Sequence, residues 1–165
     1  MSAKFPVFFA VAIALLGAGL WFGWFSTSDS RLVVTGEVLK VRTLELTPET
    51  TLVMLDFRMK NESNVDFILK EATLSWTSAD GAEHEMDPVA RPDLDRILQY
   101  AKQAGPKFNE MFVMREKLTG KVMLDRMAAG VAKASEADFD KRKSLTLRLL
   151  DLDGKTFDFK ENPRK

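Results

Sequence analysis

The sequence predicts a mainly β fold, an antiparallel sandwich with one inserted helix, preceded by a single transmembrane helix. Three observations point there. Residues 5–25 carry no charge and are almost all apolar or small. After them, short segments with period-2 apolar alternation recur between turn formers. One stretch in the middle, Pro92 to Ala104, has helical spacing instead.

The apolar run comes first. About 21 residues at roughly 1.5 Å per residue match a hydrocarbon core of about 30 Å. A cleavable signal has a shorter apolar core and small residues at its end. Here the run ends in Leu20-Trp21-Phe22-Gly23-Trp24-Phe25, an aromatic cluster suited to the membrane–water interface. An uncleaved anchor is therefore expected, although Ser26-Thr27-Ser28 offers small residues to a peptidase. Lys4 and the α-amine precede the run, which places the N-terminus in the cytoplasm and the remainder outside, in the periplasm of a bacterial cell; Arg31 opposes this. Gly19 and Gly23 form a G-x-x-x-G pair, with Ala10, Ala14 and Ala18 as a second small-residue stripe. Such stripes let helices approach closely, so helix dimerisation through Gly19 and Gly23 is one expectation. The ordinary reading is that Gly and Ala are simply common in membrane helices.

The expected organisation is a tail at 1–4, the anchor at 5–25, a linker at 26–31, a β domain at 32–160 and a frayed tail at 161–165. Only Lys4 of the 24 basic residues precedes Ser26, which leaves 23 against 24 acidic ones from there onward. No basic stripe speaks for nucleic acid. With no cysteine, disulfides, thiol nucleophiles and Cys-ligated zinc are excluded.

Residues 32–46 read as strand, with apolar phase odd at Leu39 and Val41 and even at Leu44 and Leu46. The change predicts a bulge near Arg42-Thr43, or two short strands. Val53, Leu55, Phe57 and Met59 then alternate with Met54, Asp56, Arg58 and Lys60, a half-buried strand whose second set faces water. Asn61-Glu62-Ser63-Asn64 ends it, residues 67–77 resume strand character, and Asp80-Gly81 turns again. In the helical stretch Leu94, Ile97, Leu98 and Ala101 share a face, Pro92 sits near the start and Gly105-Pro106 stops it. A helix this short must dock on something to persist, and capping an open end or edge of the sandwich is the expectation. Residues 108–115 are ambiguous between strand and loop. Leu118-Thr119-Gly120 predicts a turn into a strand at 121–124, and Ser135 caps a helical turn. Leu145, Leu147 and Leu149, a two-residue turn at Asp153-Gly154, then Phe157 and Phe159 predict a hairpin. Six or seven strands with this spacing fit an immunoglobulin-like or fibronectin-like sandwich.

Motifs that carry chemistry are few. His84, the only histidine, lies between Glu83 and Glu85 after a turn and reads as an exposed strand-end residue. No nucleophile elbow, phosphate loop, dinucleotide fingerprint or H-E-x-x-H helix is present. Asp151-Leu152-Asp153-Gly154 begins like a calcium loop, but the twelfth position is Asn162 rather than glutamate. The run Asp138 to Lys143 reads as a locally paired, solvated loop, or alternatively as a site for lipid headgroups. No catalytic, cofactor-binding or metal-ligating residue is assigned.

Residues Leu55 to Asn61, Phe67-Ile68-Leu69 and Trp76 to Gly81 resemble two families. One is the water-stress (WHy), LEA type 2 domain. The other is the telokin-like extracytoplasmic domain of the DUF4352 type, which fits the anchor and the Asp80-Gly81 turn better. Either resemblance implies an immunoglobulin-fold extracytoplasmic domain without catalytic residues; the helix at Pro92 to Ala104 departs from both. The function expected is a membrane-anchored, non-enzymatic binding or accessory module of the cell envelope, with a protein partner. The alternatives are a ligand- or ion-binding stress-related protein, or a carboxylate-dependent hydrolase using Glu83, Glu85, Asp87, Asp93 and Asp95.

Overall fold

The computed structural model describes residues 13–19, 21 and 31–161. Of the apolar run, the described residues are helical, 13–19 forming α1. Among the described residues no helix is long and apolar enough to cross a membrane. Gly23 and residues 162–165 lie outside them, so the helix pair with Gly19 and the frayed tail are not described.

Two antiparallel sheets face each other. The first has the order β1 (Val34–Thr47), β2 (Thr50–Asn61), β7 (Met123–Ala132), β5 (Asp87–Pro88). The second has β4 (Glu83–Glu85), β3 (Phe67–Thr77), β8 (Ser144–Asp151), β9 (Thr156–Lys160), with β6 (Lys117–Leu118) pairing one end of β3. The core lies between them. Val53, Leu55, Phe57 and Met59 of β2 meet Leu145, Leu147 and Leu149 of β8, as their period-2 spacing requires. Phe57 packs against Phe112 and Phe159 with ring centroids 6.1 Å apart in each pair.

The other face of β2 is also buried. Leu52 and Met54 lie under α2 (Arg91–Tyr100) and the 3-10 turn Lys102–Ala104, and Asp56 is covered by Arg42 and Asn109. The expected water-facing set is thus half wrong: Arg58 and Lys60 pair with surface carboxylates, whereas Met54 and Asp56 are covered. The helix closes no end or edge. It lays Leu94, Ile97, Leu98 and Ala101 on the outer face of the first sheet, against Leu44, Leu52, Met54, Met127 and Ala129. Alternation along one strand cannot reveal that a segment forty residues later covers its second face.

Three local expectations are corrected. The pairing of β1 with β2 shifts at Leu39, between Val38 and Lys40, and again between Glu45 and Thr47, not at Arg42-Thr43. The strand expected at 121–124 is the ten-residue β7, in the interior of its sheet. Its Ala128, Ala129 and Gly130 have low strand propensity, and small side chains are needed there: a Cβ on Gly130 would come within 2.9 Å of Met86 Cβ. The last hairpin turns through three residues. Gly154, at φ +86°, donates its N–H to Asp151 O, and Asp151 N–H donates to Lys155 O. Ser135 caps α3 (Glu136–Asp140) as expected, its Oγ accepting Asp138 N–H at 3.1 Å.

Truncating Leu94, which is fully buried beneath α2, to alanine should cost about 2–5 kcal/mol. Tyr100→Ala, at the exposed end of the same helix, should stay within about 0.5 kcal/mol. Urea unfolding of the two variants checks this, and equal losses would mean that the helix does not hold this face.

Candidate functional site

A cleft of about 800 Å³ opens on one side of the sandwich. Its inner wall is apolar: Leu74, Met86, Phe112, Ala128 and Gly130. Two segments border it, and each crosses from one sheet to the other. Residues 86–91 leave β3, where Met86 N–H donates to Leu74 O at 2.9 Å, and join β7 through Asp87 and Pro88. Residues 111–116 leave β7, where Phe112 N–H donates to Met127 O at 2.9 Å, and reach β3, where Arg115 N–H donates to Leu69 O at 2.7 Å. Arg115 turns with φ +66°, an uncommon conformation for a non-glycine residue. The borders are tied to each other. Arg91 Nη2 donates to Glu110 Oε2 at 2.7 Å, and Lys107 bridges Glu110 at 2.8 Å and Asp95 at 2.9 Å. The hydrogen bond from Lys107, with the nearby positive charges, holds the Glu110 carboxyl below its ordinary range. The tie therefore contributes above the usual glutamate pKa and is lost as pH falls through the lowered one.

The excursion carrying α2 and the second border is fastened from below. Arg42, on the outer face of β1, reaches under it. Its guanidinium donates to Asp56 Oδ2 at 3.2 Å and to the carbonyls of Ala104 at 3.0 Å and Pro106 at 2.9 Å. Asn109 Nδ2 donates to the other Asp56 oxygen at 2.9 Å, and the Phe108 ring lies 4.8 Å from the guanidinium carbon. Asp56 is 2 % exposed. A buried carboxylate of this kind is tolerable only with such partners.

The residues weighed for chemistry are placed elsewhere. Asp151 is buried, its carboxylate accepting Ile68 N–H at 2.8 Å and Asp153 N–H at 3.1 Å, which is turn and strand-end bonding. His84 stacks on Trp76 at 4.9 Å and lies 3.2 Å from Ser78 Oγ. Arg142 of the charge run sits on the Phe139 ring at 4.3 Å and forms a two-pronged bond with Glu161, so it is committed internally. Asp87 pairs with Lys133, and Asp95 with Lys107 and Arg91. Among the described residues no group of three His, Asp or Glu side chains converges to hold a metal ion. The cleft residues were not identified from sequence. Met111-Phe112-Val113-Met114 was the available signal, an apolar run too irregular for strand or helix.

No family model matches the chain, and no curated protein matches it. Among solved structures, the putative ApaA protein from Bordetella pertussis is 10 % identical, with 81 % of this chain and 97 % of that one covered and a TM-score of 0.39. A conserved hypothetical protein from Bacillus anthracis is 10 % identical over 78 % and 87 % of the two chains, with a TM-score of 0.35. A target of the Northeast Structural Genomics Consortium is 12 % identical over 81 % and 83 %, again at 0.35. All three scores are below 0.5.

Removing one member of the buried pair should be worse than removing both. Arg42→Met strands the Asp56 carboxylate and is expected to cost about 3–5 kcal/mol. Joined with Asp56→Leu it should cost less than Arg42→Met alone, since a buried pair exchanged for apolar side chains is often neutral. Denaturant unfolding of the single and double variants measures this, and additive losses would contradict the coupling.

Proposed function

We propose that this protein is a membrane-anchored, non-enzymatic binding module of the cell envelope, and that the cleft between residues 86–91 and 111–116 is where it holds its partner. The observation that carries this reading is the cleft itself. Its volume lies in the range of binding sites, roughly 300–1,000 Å³, and it combines an apolar wall with main-chain polar groups at its rim. The uncharged run at 5–25 supports an anchor, with Lys4 on the cytoplasmic side and the domain in the periplasm. The strand order supports an immunoglobulin-like module: β1-β2-β7-β5 against β3-β8-β9 follows the ABED and CFG arrangement, with β4 added at the edge. Helix α2 would then be an insertion between the fourth and fifth strands of that scheme. Pairing through Gly19 and Gly23 would bring two such modules side by side.

A photo-activated cross-linking side chain tests the reading in the membranes of the producing cell. At Met114, exposed on the cleft border, it should give a discrete product. At Leu39, also exposed but on β1, at the opposite edge of the first sheet from β5, it should not. The product at 114 should disappear when Ala72, which lines the cleft, is enlarged to phenylalanine. Equal labelling from both positions, or none from 114, would contradict the proposal.

A further inference from the structure

We infer that the cleft takes an extended peptide segment with alternating apolar side chains, which adds to β3 as a strand in the gap between β4 and β6. This rests on the reading of the cleft as the binding site and names the kind of partner it receives.

The reasoning begins with the pairing of β3. On one side β8 accompanies it from Leu69 to Thr77, with a bulge at Lys70 between the pairs Leu69–Asp151 and Glu71–Leu150. On the other side β4 pairs with Ser75–Thr77 and β6 with Phe67 and Ile68. Between these two short partners, residues 70–73 have no strand beside them among the described residues. The gap is bounded on this side by main-chain bonds at both ends, Leu69 N–H to Glu116 O and Arg115 N–H to Leu69 O at one, and Met86 N–H to Leu74 O at the other. Main-chain groups along a strand point alternately left and right. Ala72, two residues before Leu74, therefore turns its N–H and C=O into the cleft. Exposed strand edges recruit other chains unless they are blunted by charge, proline or cover. Here the edge lies inside an apolar-walled cleft instead of on an open surface.

The dimensions suit a single strand. Between the bonded residues Leu69 and Leu74 the free edge, residues 70–73, spans roughly 10 Å at about 3.3 Å per residue. A strand laid about 4.8 Å from β3 would turn every second side chain toward the wall made by Leu74, Met86, Phe112 and Ala128. The side chains between would face outward, beside Lys70 and Glu71, which are exposed. A second folded copy of this chain does not suit the gap. Its edge strand would bring a neighbouring strand and turn against residues 86–91 and 111–116, which close both ends. A slim extended segment that pairs over about three or four residues and turns outward before either end fits between them, and adding to a sheet edge is a common mode of peptide recognition.

The full chain in lipid nanodiscs is titrated against a labelled, end-capped heptapeptide that alternates valine with threonine, with fluorescence anisotropy as the readout. Two N-methylated forms are compared, one methylated at every valine and the other at every threonine. Only one set of N–H groups can face β3, so one form should bind at least about tenfold more weakly and the other nearly as well as the parent. Equal binding by the two forms would overturn strand addition, as would no saturable binding of the parent below about 1 mM. The comparison needs no protein variant, so a folding defect cannot mimic it. Loss of the phase dependence with cross-linking at Met114 intact would leave the cleft as a binding site and remove only its strand-adding mode. Failure of both would remove the site as well.

Discussion

Arg42 and Asp56 form the contact on which the arrangement of this domain turns. The guanidinium spans three chain segments: its own strand, the Asp56 carboxylate on β2, and the Ala104 and Pro106 carbonyls behind α2. Asn109 completes the carboxylate from the same excursion. Arginine suits the place because its planar fork bonds several acceptors at once while its charge is matched by a single carboxylate. One donor, Nε, finds no acceptor among the described residues, so the site is not fully satisfied. Geometry rather than net stability is what such a pair supplies best, because a buried ion pair gains little over an apolar substitute.

The consequence reaches the other side of the sheet. With the segment after α2 fixed at residues 104–109, Met111 and Phe112 are delivered to the edge of β7, and Phe112 enters the core between Phe57 and Phe67. The same chain continues to β3 at Leu69 and forms one border of the cleft. The preceding segment, 86–91, forms the other. The helical insertion thus covers the outer face of one sheet while its two ends frame an opening into the space between the sheets. The salt links among Arg91, Asp95, Lys107 and Glu110 are exposed and contribute little individually. Their role is to relate the two borders to each other.

Much of the scaffold was legible in the sequence, because it is written in local patterns. The inner face of β2, the Leu145-Leu147-Leu149 run, the Asp80-Gly81 turn and the helix near Pro92 all follow from spacing and turn chemistry. What escaped depends on partners distant in sequence. Asp56 holds the polar place in the alternation, and what buries it is Arg42 of β1 together with Asn109 beyond the later helix. Strand β7 is longer than its local pattern suggests, because its alanines have low strand propensity and Gly130 answers to close approach by Met86 and Leu74. Phe112 was unplaced because its segment pairs with β7 at a single position and is otherwise irregular. The cleft is the sum of these misses: its borders are the two irregular crossings, and its edge is a stretch of β3 defined by strands too short to be seen as strands.

Hydrogen–deuterium exchange on Arg42→Ala tests the central claim most directly. If the Arg42–Asp56 contact holds the excursion in place, amides of α2 and of residues 104–112 should exchange much faster than in the unaltered chain. Those of β8 and β9, which it does not touch, should keep their protection. Unchanged protection across 91–112, or a uniform loss across both sheets, would contradict the account.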